Sequence, residues 1–116
     1  MKTRFLWKDM EAEEKVKAYI LKRLREISDL FSRLTLYEIE VSRDKKGFYR
    51  VEVNASEPKT LYRAEETSRS AEGSIDMVIE KLRSQVTRTK VKERELEVRG
   101  ARSIKKRNVV DEAARF

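Results

Sequence analysis

The sequence predicts an α+β domain of order β-α-β-β-β-α, with two helices side by side on one face of a four-stranded sheet. Three observations carry this. Two stretches, 10–31 and 71–92, repeat apolar residues at steps of three and four, the period of a helix with one buried face. From Leu36 the period falls to two, over three short runs divided by polar turns. A short aromatic and aliphatic run at 2–7 precedes the first helix. Each helix then has one apolar stripe and each strand of the meander one apolar face, and two layers around a single core satisfy them all.

Residues 2–7 make the first strand. Asp9 is placed to cap a helix over 10–31. Its stripe is Val16, Ile20, Leu24, Ile27 and Phe31, broadened by Tyr19 and Leu30, while Lys15, Lys22 and Arg25 point roughly the other way. In the second strand Tyr37, Ile39 and Val41 alternate with Glu38, Glu40 and Ser42. Residues 43–47 are a polar turn with Gly47 near its end, the kind that closes a hairpin. Tyr49, Val51, Val53 and Ala55 then alternate with Arg50, Glu52 and Asn54. A turn over 56–59, holding the only proline, leads into a less apolar strand over 60–66 suited to a sheet edge.

The second helix spans 71–92, with Ser68 or Ser70 as its cap. Ala71, Ile75, Val78, Leu82, Val86 and Thr89 form its buried stripe. Lys81, Gln85, Arg88 and Lys92 lie about a quarter-turn away as a cationic ridge, widened by Arg83, Lys90 and Arg94. Lys and Arg also favour any solvated helix face, so the ridge alone is not decisive. From Glu93 the periodicity fades, and Arg99, Arg102, Lys105, Lys106 and Arg107 cluster around Gly100. The chain therefore reads as a domain over 1–92 and a flexible basic tail over 93–116, disordered until it meets a partner.

Composition narrows the function. The 116 residues carry a net charge of +7 with 42% charged side chains, a basic surplus on a densely charged surface. The matching partner is anionic: nucleic acid first, an acidic protein or membrane second. No apolar run approaches the ~18 residues of a membrane span, and the N-terminus has no signal-peptide core, so a soluble, cytoplasmic protein is expected. The chain has no Cys and no His, which removes thiolate chemistry, the commonest general base and the commonest metal ligand. Its three glycines are not spaced to cradle a phosphate. No enzyme, cofactor or metal is expected.

Packed side by side, the two helices bring their basic outward faces together, which favours RNA. The opposite sheet face, with Glu38, Glu40, Arg50 and Glu52, is mixed in sign. A double-stranded RNA-binding domain shares the helix-on-sheet plan, but its second helix starts with lysines, whereas this one starts Ser70-Ala71-Glu72-Gly73. An adaptor for an acidic protein is the other alternative.

Three stretches carry a family resemblance: Trp7-Lys8-Asp9-Met10-Glu11 with Lys17-Ala18-Tyr19-Ile20 and Lys22-Arg23-Leu24; Gly73-Ser74-Ile75-Asp76 with Lys81-Leu82-Arg83-Ser84-Gln85-Val86, Arg88, Lys90 and Lys92; and Ala101-Arg102-Ser103-Ile104-Lys105 with Asn108-Val109-Val110-Asp111-Glu112. Through them the chain resembles the ribosome hibernation factors of the sigma-54 modulation protein family, most closely the short, tailed subtype. It departs from the family pattern at Trp7 (usually Gly), at Glu13 (usually a Thr cap) and near Glu72 (usually an aromatic). The resemblance implies a non-catalytic plug in the decoding channel of the small ribosomal subunit, blocking translation and protecting idle ribosomes under stress. It implies contacts to ribosomal RNA from Lys8, Lys15, Lys22, Arg23 and Arg25, and from Lys81, Arg83, Gln85, Arg88, Lys90 and Lys92. The tail cations Arg99, Arg102, Lys105, Lys106 and Arg107 would add contacts along the mRNA path and oppose ribosome pairing by untailed relatives. The stretch after Lys92 is too short for the dimerising domain of the family's long form, so ribosome pairing by that route is not expected; nothing requires an oligomer, and a monomer is expected.

Overall fold

The computed structural model describes residues 2–103, and the side chains of residues 2–92. The elements follow the predicted order: β1 (Lys2–Lys8), α1 (Glu14–Ser28), β2 (Leu36–Arg43), β3 (Tyr49–Ser56), β4 (Leu61–Ser68) and α2 (Ala71–Ser103). The strands lie in the order β1-β2-β3-β4. β1 runs parallel to β2, Lys2 opposite Leu36 and Lys8 opposite Ser42, because α1 carries the chain back to the starting end of the sheet before β2 begins. β2, β3 and β4 form the antiparallel meander.

Alternation along the strands sorts the sheet into two faces. Tyr37, Ile39, Val41, Val51, Val53, Ala55, Tyr62 and Ala64 are buried with Val16, Ile20, Leu24, Ile27 and Phe31 from α1 and the region after it. Ala71, Ile75, Val78, Ile79, Leu82 and Val86 of α2 complete the same core. Both helices thus cover one sheet face. Phe31 meets Tyr37 and Tyr62 edge-on, with ring centroids 6.0 and 5.4 Å apart, a geometry that suits aromatic quadrupoles.

The element ends differ from expectation for local reasons. Asp9 does not cap α1; its φ of 58° lies in the left-handed region that Asp tolerates better than most residues, and it turns the chain out of β1. The helix begins at Glu14, after an extended Glu13 whose side chain makes no cap. Its first bond runs from the Lys17 amide to the Glu13 carbonyl at 2.9 Å. α1 stops at Ser28, and Phe31 is buried although it lies beyond the helix. In the β2–β3 turn the Asp44 carboxylate accepts from the Lys46 and Phe48 amides at 2.8 and 2.9 Å, and Gly47 supplies a φ of 88°.

Ser70 is the α2 cap: its hydroxyl accepts from the Gly73 amide at 3.0 Å. Ser74, fully buried, donates to the Tyr49 carbonyl at 2.7 Å and lies 3.0 Å from the Ser68 hydroxyl. This knot ties the end of β4 and the start of α2 to the start of β3. A Cβ on Gly73 would lie 2.9 Å from Ser68 Oγ and 3.0 Å from Ser70 Oγ, so a side chain there would displace one of the two serine hydroxyls.

The sequence places the end of the second helix at Lys92, but α2 continues to Ser103. No proline interrupts it, and residues 87–98 are rich in Lys, Arg and Glu, good helix formers. The chain divides into two compact units, Met1–Val86 and Thr87–Phe116; the second is helical from Thr87 to Ser103. Arg99 and Arg102 stand on that helical backbone, while Lys105, Lys106 and Arg107 lie outside the described residues.

Removing the buried Ser74 hydroxyl deprives the half-buried Tyr49 carbonyl of a donor. We expect Ser74→Ala to lower stability by about 1–2 kcal/mol, a fall in Tm of roughly 5 °C for a domain of this size. Thermal unfolding followed by circular dichroism checks this.

Candidate nucleic-acid interface

On α1, Lys15, Lys22 and Arg25 are exposed, at steps of seven and three that keep them on one face. None of the three forms an ion pair among the described residues. Lys8, at the end of β1, is also exposed and unpaired there. Arg23 behaves differently. Its Nε donates to Asp76 Oδ1 of α2 at 3.0 Å, and its guanidinium also pairs with Glu26 one turn on. Tyr19 donates its hydroxyl to the same Asp76 oxygen at 2.7 Å. That hydrogen bond, and then burial, raise the phenol above its ordinary pKa, so it stays a donor. Arg23 is therefore a strut between the helices rather than an open cation.

The ridge expected on α2 is partly committed to the sheet. Lys81 pairs with Glu66 and reaches the Glu65 carbonyl at 3.5 Å. Gln85 donates to the Arg63 carbonyl at 2.7 Å and accepts from the Arg63 amide at 3.3 Å. Its side-chain amide thus occupies both backbone groups of one β4 residue, as a neighbouring strand would. Arg83 pairs loosely with Glu80 at 3.8 Å. Arg88, Lys90 and Lys92 belong to the second unit, where Arg88 and Lys92 are exposed and Lys90 half-buried.

Across β2, β3 and β4 the outer sheet face neutralises its own charges by pairing. Glu40, Glu52 and Glu65 stand opposite one another across β2, β3 and β4, an arrangement that repels itself unless bridged. Arg50 bridges all three, and Arg63 adds a bond to Glu52 at 2.7 Å. The Glu52 side chain is only 12% exposed. Burial pushes its carboxyl up, but the hydrogen bonds from Arg50 and Arg63 outweigh that and hold it below the usual carboxylate range.

Sequence periodicity finds the α1 face. It does not find Asp76, whose spacing carries no signal that Tyr19 and Arg23 converge on it, or the cap that Gln85 places on β4. Among the described residues no group of three or more His, Cys, Asp or Glu is placed to hold a metal, and no helix is long and apolar enough to cross a membrane.

Element order, parallel first pair and helix-covered sheet define a small βαβββα domain with open cations on its first helix. The chain belongs to the sigma 54 modulation protein / S30EA ribosomal protein family, whose model matches residues 4–94. Two solved structures share the fold. A ribosomal subunit interface protein from Coxiella burnetii is similar with a TM-score of 0.72 at 18% identity, over 78% of this chain and 99% of that one. The N-terminal domain of Thermus thermophilus Protein Y is similar with a TM-score of 0.67 at 23% identity, over 77% and 99%. No curated protein matches by sequence.

Because the folded-state carboxyl of Glu52 titrates below its unfolded value, its contribution to stability is present above the unfolded pKa and fades as pH falls through the folded one. Glu52→Gln is expected to lower stability at neutral pH, with the gap to wild type closing as the pH drops below about 4. Urea unfolding of both proteins across pH measures this.

Proposed function

We propose that this chain is a ribosome hibernation factor that occupies the decoding channel of the small ribosomal subunit. The observation that carries this reading is the family match over residues 4–94 on a domain whose Lys15, Lys22 and Arg25 are exposed and unpaired among the described residues. The names of the two similar structures, a ribosomal subunit interface protein and Protein Y, support it. The mechanism is steric. A folded domain fills the space where mRNA and tRNA anticodon arms would lie, so initiation stops and the idle ribosome is stabilised in the cytoplasm.

Exposed cations on α1, together with Lys8, contact phosphates and set the orientation, while the shape of the domain supplies specificity. Arg23, Lys81 and Gln85 shape the binding face rather than touch RNA. Their partners Asp76, Glu66 and Arg63 fix how α1, α2 and β4 meet. The step needs neither a nucleophile nor a metal, and a monomer suffices.

Co-sedimentation with purified small subunits tests the reading, comparing wild type with a Lys15→Glu/Lys22→Glu/Arg25→Glu variant. Wild type should bind with a strong salt dependence. The folded variant should lose binding at physiological salt, and at low salt its slope should be shallower by roughly 2–3, the counterion release of three lost phosphate contacts. Equal binding by both proteins would remove α1 from the interface.

A further inference from the structure

The two edges of the sheet are treated differently. On the β4 edge Gln85 takes both backbone groups of Arg63, and Lys81 reaches the Glu65 carbonyl. The β1 edge has no such cover among the described residues. The Lys2 amide donates to the Thr35 carbonyl at 3.2 Å, so by the alternation of a parallel ladder residues 2, 4, 6 and 8 turn their backbone groups toward β2. Thr3, Phe5 and Trp7 turn theirs outward, and no described group accepts or donates to them. The strand is seven residues long and holds no proline. Folded proteins rarely leave such an edge bare without a device or a use for it.

Its side chains say what would fit. On the outer face Lys2, Arg4 and Lys8 are exposed, with only an exposed pair from Arg4 to Glu38 at 3.3 Å among them. Between them Leu6 is 58% exposed, beside a groove of about 330 Å³ whose lining includes Arg4, Leu6, Glu38, Glu40 and Asn54. On the helix side the Phe5 and Trp7 rings stack 5.8 Å apart and stay half-buried, with the Lys17 ammonium 5.6 Å from the Phe5 ring. Pairing of β1 with a second copy of itself would set cation against cation, which disfavours it. An acidic strand meets the opposite sign at the same positions.

We propose that β1 is a strand-addition site for an extended acidic segment of another protein, its carboxylates alternating with apolar residues. Its backbone pairs with Thr3, Phe5 and Trp7. Its carboxylates lie on the outer face against Lys2 and Arg4, and its apolar side chains extend the Phe5–Trp7 ledge. The site is separate from the α1 face and does not depend on its RNA contacts.

The test uses the full isotope-labelled chain and a capped synthetic heptapeptide alternating Glu and Val, with a Lys–Val peptide and oligouridylate as controls. The Glu–Val peptide should slow amide exchange at Thr3, Phe5 and Trp7 and shift the fluorescence of Trp7, the only tryptophan; the controls should do neither. Thr3→Pro removes an outward amide while leaving the β1–β2 ladder intact, and should weaken peptide binding about tenfold with small-subunit co-sedimentation unchanged. If that variant misfolds, Lys2→Glu/Arg4→Glu serves the same purpose through charge. Absence of peptide binding at millimolar concentration, protection mapped to α1, or equal protection by oligouridylate or the Lys–Val peptide would overturn the proposal. A loss of ribosome binding by the α1 variant, or its absence in wild type, bears only on the RNA reading.

Discussion

Burial of both helix stripes on the same face of one sheet is the constraint on which the rest of the molecule depends. Nineteen apolar side chains form a single cluster, and their loss of contact with water is the main force holding the layers together. Once that face is taken, every charge must sit on the outward helix surfaces, on the other sheet face or at the edges. With 42% of residues charged, those surfaces are crowded, and most of the chain's electrostatic detail is a consequence of that crowding. The outer sheet face resolves it by pairing, Arg50 spanning three carboxylates. The seam between the helices resolves it by giving Asp76 two donors. The α1 face keeps Lys15, Lys22 and Arg25 without an ion pair among the described residues.

The division of labour among the cations follows from the same geometry. A Lys or Arg within reach of a strand or the other helix is drawn into a local pair, as Lys81 is by Glu66 and Arg23 by Asp76. Lys22 and Arg25 stay open although Glu26 and Asp29 stand four residues beyond them; Arg23 holds Glu26. Counting positive residues along a helix therefore overstates the surface offered to a polyanion, and the sheet edge beneath α2 accounts for much of the difference.

Fold and candidate site were not equally legible in the sequence. The alternation from Leu36 to Ala55 and the stripes through Ile20 and Ile75 depend only on nearest periodic neighbours, so order and inner face could be read directly. Element ends could not. Asp9 suits a cap by composition, yet the chain needs a left-handed residue to leave β1, and nothing local distinguishes the two uses. The helix beyond Lys92 was hidden because apolar periodicity reports docking, and a helix that rests on the propensities of Lys, Arg and Glu lacks that signal. Residues joined over long separations, such as Tyr19 with Asp76 or Arg63 with Gln85, leave no mark in spacing at all.

The two-point bond between Gln85 and Arg63 has a consequence for how the chain comes into being. β1 through β4 are complete before α2 begins, and the residue that closes the β4 edge lies near the far end of the docked part of that helix. A chain growing from its N-terminus therefore passes through a stage in which four strands can pair while the last one still exposes its backbone. At that stage the nascent sheet is open to a neighbouring chain on both sides. Arg63 and Glu65, exposed along β4, are the charges that keep such a partner away until Gln85 arrives. The same helix that completes the core also closes the β4 edge.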